Sequence, residues 1–297
     1  MSRSASPIPA SSPTASERGG LSPVPTAELT VTYEAVETVF FPTAPAGIWR
    51  GQLGAALHRS ASARRRGAGG STYEQLFRTP RSAVRVPERP ARILGPIGLA
   101  GEHVPHPFVL RVGPVGHRSA PLRLRAGDAT RWSLVLVGSA VRHVPVLTAV
   151  LDGLAEGGIG RTVPQPEGPD RRGRMHLQAA TLSVGRVSLE LYERQAEGTG
   201  TWHLPATCDA SLYEQMSSLV GTSPSTSTTE APEEVSVSFE TPVRLSHGDA
   251  MLRAPSDLTA EALAQATYRR WAALALCYGP EPPSTERLDA ARDSFAG

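Results

Sequence analysis

Lysine is absent from these 297 residues, and all 30 permanently basic side chains are arginine. Schiff-base chemistry and lysine proton donation are therefore excluded, and every fixed cation is a planar guanidinium suited to phosphate. A genome rich in G and C would give the same bias, with the same physical consequence. Cysteine occurs twice, at Cys208 and Cys277. Two are too few for a disulfide framework or a cysteine-rich zinc site, and they accord with a reducing compartment. Aromatic residues make up 5% of the chain, with no RNP-type run for stacking single-stranded bases. No apolar run approaches the ~20 residues of a membrane span. The opening MSRSASPIPASSPTASERGG lacks the apolar stretch of a secretory signal. The expectation is a cytoplasmic protein with no membrane partner.

What charge there is lies unevenly. The formal net value is +2, yet Arg59 to Arg92 holds nine arginines against Glu74 and Glu88. From Glu230 onward, eleven acidic residues face six arginines. A basic stretch beside neutral or acidic ones is the footprint of a polyanion partner.

Periodicity divides the chain. Residues 1–27 are rich in Ser, Pro and Ala without periodicity and read as a disordered leader. Leu29, Val31 and Tyr33 alternate as in a half-buried strand. Trp49, Leu53, Ala56 and Leu57 then fall at helical spacing. A long Arg-, Gly- and Pro-rich connection covers residues 59–105. Strands are predicted at 108–112 and 132–137, a helix at 141–154 and a strand at 175–184. That order is β-α-β-β-α-β, the ferredoxin-like arrangement.

The second half repeats this grammar less legibly. Val187, Leu189 and Leu191 alternate, a helix fits 210–219, and Val235, Val237 and Phe239 alternate again. A Ser/Thr-rich insertion at 221–230 reads as a loop, and a helix runs from about Thr259 to Tyr278. The predicted fold class is α+β: two tandem ferredoxin-like (RRM-like) domains at 28–184 and 185–280, the second degenerate, and a polar tail at 281–297.

Gly157, Gly158, Gly160 and Arg161 form a glycine-rich turn after a helix, followed closely by Arg171, Arg172 and Arg174. Backbone N–H groups without a neighbouring Cβ approach phosphates closely, and arginines add charge. The same glycines also suit a helix stop. His103 and His106 sit in a Pro-flanked loop without a paired carboxylate or thiol, so no metal site is expected. Tyr73, Phe77 and Trp132 are expected in the core.

Four segments occur in a telling order. They are Trp49-Arg50-Gly51-Gln52-Leu53-Gly54-Ala55-Ala56-Leu57, Tyr73-Glu74-Gln75-Leu76-Phe77-Arg78-Thr79-Pro80, Gly157-Gly158-Ile159-Gly160-Arg161 and Phe239-Glu240-Thr241-Pro242-Val243-Arg244-Leu245. With the closing Tyr268-Arg269-Arg270-Trp271, they resemble the RAMP-superfamily endoribonucleases that process precursor CRISPR RNA, the Cas-six family. The resemblance spans about residues 28–279. It departs from the family's pattern at residues 59–71, where cysteines give way to arginines, and at a Pro-containing insertion at 164–170.

The resemblance implies an endoribonuclease cutting CRISPR repeat RNA, a hairpin in shape, to 2′,3′-cyclic phosphate and 5′-hydroxyl ends without a metal or organic cofactor. Such cleavage needs a base for the 2′-hydroxyl, an acid for the departing oxygen and cations for the phosphorane. In that family a histidine at the first helix often serves, and His58 ends that helix here. His58, Arg64 and Arg65 are the catalytic candidates. Arg50, Arg59, Arg66, Gly157, Gly158, Gly160, Arg161, Arg171, Arg172 and Arg174 are the RNA-binding candidates. An alternative is a non-catalytic RAMP subunit that holds guide RNA among other CRISPR effector subunits. A third reading is an arginine-rich scaffold whose motif matches are chance.

Overall fold

A computed structural model describes residues 24–60, 71–84, 86, 88–89, 91–112, 121–166, 168–185, 187–195, 200–203, 246–247, 250–251, 254–279 and 281–296. The N-terminal elements are β1 (Thr26–Ala35), β2 (Val39–Phe41), α1 (Pro45–Arg59), one π-helical turn at Glu74–Arg78, α2 (Ala91–Leu94), β3 (Phe108–Val112), β4 (Leu122–Leu124) and β5 (Ala129–Val137). A 3₁₀ turn at Gly138–His143 leads into α3 (Val144–Leu151), β6 (Ile159–Val163), β7 (Arg171–Gly173), β8 (Met175–Val184), β9 (Val187–Arg194) and β10 (Gly200–Trp202). After these come β11 (Ser246–His247), β12 (Ala250–Met251), α4 (Ala260–Tyr278) and α5 (Thr285–Ala296).

The main sheet is antiparallel, in the order β10-β9-β8-β1-β5-β3. Its four strands β8-β1-β5-β3, with helices between β1 and β3 and between β5 and β8, form the mixed β-α-β-β-α-β unit predicted from periodicity. Alternation on β1 explains which face is inside: Ala27, Leu29, Val31, Tyr33 and Ala35 are buried, while the residues between them are at least partly exposed.

On the buried face, α1 sets Trp49, Leu53 and Leu57, four residues apart, against the sheet. Trp49 meets Tyr33 with ring centroids 5.1 Å apart and Trp132 at 5.2 Å. The Tyr33 hydroxyl donates to the Leu151 carbonyl of α3 at 2.5 Å. Burial pushes the Tyr33 hydroxyl well above its ordinary pKa, so it remains a donor. Truncating Trp49 to alanine in such a site costs about 3–5 kcal/mol.

A second core lies beside the first. Ile93, Leu94, Ile97, Leu99 and Val104 pack with Tyr268, Ala272, Ala273 and Leu276 of α4 and with Leu288 and Ala291 of α5. Thr259 caps α4, its hydroxyl accepting from the Ala262 N–H at 3.1 Å. The Tyr268 hydroxyl donates to the Leu288 carbonyl at 2.9 Å and fixes α5.

Several expectations change here. The connection at 59–105 is not one long loop, because its Ile93–Val104 part supplies half of a core. The expected polar tail contains α5, whose Leu288 and Ala291 are buried. The expected leader ends inside β1, which begins at Thr26. The boundary expected at 184/185 falls inside the β8–β9 hairpin, and β9 and β10 extend the first sheet instead of opening a second. The predicted helix at 210–219, the loop at 221–230 and the strand at 235–239 lie outside the described residues. Among the described residues, no helix is long and apolar enough to cross a membrane.

Candidate nucleic-acid interface

The face of α1 opposite its core stripe carries Gly47, Gly51, Gly54 and His58, at i, i+4, i+7 and i+11. With Arg50, Ala55, Arg59, Tyr73 and Phe77 they line an open cleft of about 590 Å³. His58 is exposed and meets the Tyr73 ring edge-on at 5.1 Å. Tyr73 stacks on Phe77 at 5.8 Å. The Arg50 guanidinium lies 5.6 Å from the Phe77 centroid and 5.0 Å from that of Phe108. Tyr73 and Phe77, expected in the core, are half-buried and turn part of their rings to the cleft; Trp132 is buried as expected.

The wall segment is built by its own sequence. Ser71 and Glu74 form a reciprocal cap: the Ser71 N–H donates to Glu74 Oε2 at 2.8 Å and the Glu74 N–H donates to Ser71 Oγ at 3.2 Å. Leu76 enters the core, and Arg142 donates to Gln75 Oε1 at 2.7 Å. Thr79 ends the turn in the left-handed region at φ 43°, an uncommon place for a β-branched residue. Its hydroxyl donates to the Val104 carbonyl at 2.7 Å, and its carbonyl accepts from the Val104 N–H at 3.0 Å. The Thr79-Pro80 pair thus clamps the 103–106 segment against the wall. His103 stays exposed, but His106 is half-buried and close to Arg50. Burial first, then the charge of Arg50, lowers the His106 pKa.

Arg64, Arg65 and Arg66 lie outside the described residues, within the stretch joining Ser60 to Ser71. The segment Phe239 to Leu245 also lies outside them. Burial pushes the Cys277 thiol up to about 12, which favours the protonated form.

The glycine-rich segment is a β-hairpin, β6–β7, packed on β2. Gly158 has φ +86°, and a Cβ there would lie 2.8 Å from the Arg172 Cβ. Gly160 has φ +81°, and a Cβ there would strike the Phe40 carbonyl. Gly173 abuts the Thr38 carbonyl in the same way. These glycines admit neighbouring backbone, whereas Gly157 has open space around it. The insertion at 164–170 is tied down by Gln165, whose amide donates to the Thr38 and Arg171 carbonyls at 3.1 and 3.2 Å.

Arg171 and Arg174 both bind Glu37, at 2.6 and 2.7 Å to one oxygen, while Arg161 and Arg172 are exposed. Sequence reasoning missed Glu37. Glu37, Arg171 and Arg174, together with Arg123, Arg125 and Gln165, line a second open cleft of about 830 Å³. The two clefts share no lining residue, so the hairpin arginines and His58 do not form one site.

Residues 24–200 match the family model AF_1859_N, described as an N-terminal domain. That span covers the main sheet through its first residue of β10. No curated protein matches the chain. Among solved structures, a crystal structure of the Csm3-Csm4 subcomplex in the type III-A CRISPR-Cas interference complex is similar over 67% of this chain and 98% of that one. The identity is 12% and the TM-score 0.34, a likeness too slight to carry an argument.

Proposed function

The chain belongs to the AF_1859_N family, and within that frame we propose that it is an endoribonuclease that binds and cuts CRISPR repeat RNA in the cytoplasm. The observation carrying this reading is the α1 cleft, where an exposed histidine stands beside two arginines and two half-exposed rings. The motif resemblance of residues 28–279 supports it independently. His58 takes the proton of a ribose 2′-hydroxyl or returns one to the leaving 5′-oxygen, a role suited to imidazole. The 2′-oxygen then bonds to phosphorus as the P–O5′ bond breaks, leaving a 2′,3′-cyclic phosphate and a 5′-hydroxyl. Arg59 and Arg50, joined by Arg64 and Arg65, offset the charge that grows on the phosphorane. The open groove along Gly47 and Gly51 gives a strand room to approach the helix.

A second reading follows from the contact between His58 and Tyr73, which also serves as wall packing. The protein is then a non-catalytic RAMP subunit that holds guide RNA among other effector subunits.

One experiment separates the two. Repeat RNA is incubated with wild type and with His58→Ala in EDTA. A rate about 10²–10⁴-fold lower in the variant, with binding retained, supports the enzyme. Equal cleavage removes the role of His58, and wild-type binding without cleavage favours the subunit. RNA affinity that is flat with salt removes the RNA reading altogether.

A further inference from the structure

Glu37 sits at the end of β1, in the turn before β2, with its side chain only 10% exposed. It accepts from Arg171 Nη2 at 2.6 Å and from Arg174 Nε and Nη2 at 2.9 and 2.7 Å. Burial alone would raise the Glu37 carboxyl. The hydrogen bonds from Arg174 and Arg171 outweigh it, and the pKa ends below its ordinary value. One carboxylate therefore holds two guanidiniums side by side. Each has five N–H donors, and with side chains 43% and 52% exposed they turn unused donors to the cleft.

The opposite rim is β4. Leu124 faces inward, so Arg123 and Arg125 on either side of it face the cleft together. Among the described residues neither guanidinium makes an ion pair; Asp128 accepts the Arg125 backbone N–H instead. Gln165, 9% exposed, fixes the floor by bonding both the N–H and the carbonyl of Thr38. The chain's own contacts thus hold the rim and floor of the cleft.

We propose that this cleft is a second RNA seat, gripping the phosphodiester backbone of a strand whose reactive part lies at His58. The proposal rests on the RNA-binding reading above. Among the described residues of the lining, four guanidiniums face one carboxylate, and that carboxylate is already spent on two of them. Among the described residues the lining has no aromatic ring, so it suits phosphate oxygens rather than a base. A small-molecule pocket would be lined mainly by apolar side chains, and this one is not. Arginine pairs held in place by a shared carboxylate are pre-organised to meet successive phosphates with two hydrogen bonds each.

The test is anisotropy binding of a labelled single-stranded RNA over a salt series. It compares wild type, the double variant Arg123→Gln/Arg125→Gln, and His58→Ala. The double variant should bind about tenfold more weakly at low salt. Its log–log salt slope should be shallower by about 1.4, the share of two phosphate contacts on a single strand. His58→Ala should keep the wild-type slope. The charge reversal Arg123→Glu/Arg125→Glu should weaken binding further. An unchanged melting temperature certifies the fold, since both side chains are exposed.

If wild type binds RNA and the double variant keeps its affinity and slope, the second seat is overturned while the RNA reading stands. If wild type binds no RNA, both fall. If polyglutamate binds as tightly and is lost in the same variant, the cleft belongs to an acidic protein and the proposal is overturned.

Discussion

In the His58 cleft, Gly47 and Gly51 have nothing within 4 Å of where a Cβ would stand; in the hairpin beside the arginine cleft, Gly160 and Gly173 would drive a Cβ into the carbonyls of Phe40 and Thr38. Gly47 and Gly51 keep a groove empty in the first, where Gly54 alone admits the Phe77 ring, and glycine lets two backbones touch in the second. The walls differ as well. Rings and two arginines line the α1 groove, whereas an ion-paired acid organises the hairpin cleft. The same residue type in a sequence therefore reports a space for a ligand in one place and a packing contact in the other.

The largest expected effect breaks the packing contact. Gly160→Ala meets two penalties: a left-handed φ of +81° and a backbone carbonyl that cannot retreat as a side chain can. Strain at such a φ costs about 1–3 kcal/mol before the clash is counted. The variant should lose about 3 kcal/mol or more in urea denaturation, with a matching loss in Gly173→Ala from its clash alone. A cost below about 1 kcal/mol would mean that the hairpin is not wedged against β2.

Acid should loosen the two clefts in a fixed order. His143 supports the wall of the His58 cleft through Thr72, with Nδ1 and Oγ1 3.3 Å apart. Burial, then the charge of Arg142, lowers its pKa from 6.5 to about 4. The unfolded chain therefore takes up a proton first as pH falls below 6.5, and the folded protein follows only near 4. Stability is full above 6.5 and falls by on the order of 3 kcal/mol on the way down to 4. Glu37 has the opposite kind of partner. Its folded pKa lies below the ordinary glutamate value of 4.5, so its contribution persists above that value and is lost only as pH falls through the lower one. Denaturation midpoints at stepped pH should decline between 6.5 and 4 in wild type and much less in His143→Gln. An equal decline in both would clear His143 of the effect.

How much of this was legible varied with how local the cause was. β1 showed because Leu29, Val31 and Tyr33 alternate, and α1 because Trp49, Leu53 and Leu57 recur at helical spacing. The four central strands and their helices followed in the right order. β2 and β4 did not show, since each has three residues and becomes a strand only by pairing with the other. The Ile93–Val104 segment is broken by Gly95, Pro96 and Gly98, and its burial depends on α4, more than 150 residues away. Glu37 left no local signal, because its partners lie 134 and 137 residues further on. One signal was available and passed over: Gly185-Arg186 between two alternating runs marks a two-residue hairpin. It would have joined β9 to the first sheet.

The smallest expected effect sharpens the comparison, because its two readouts have opposite signs. Gly51 lies inside α1 with open space where a side chain would stand. Alanine in a helix interior is favoured over glycine by about 1 kcal/mol, partly through the unfolded state. Gly51→Ala should therefore raise the urea midpoint by that order while placing a methyl group in the groove beside Arg50. If the groove takes a strand, RNA affinity falls a few-fold in the same protein that has become more stable. If stability and affinity rise together, or affinity is unmoved, the groove is not where RNA lies. Gly160→Ala has no such split: it loses stability and, through the displaced Arg171 and Arg174, RNA affinity with it.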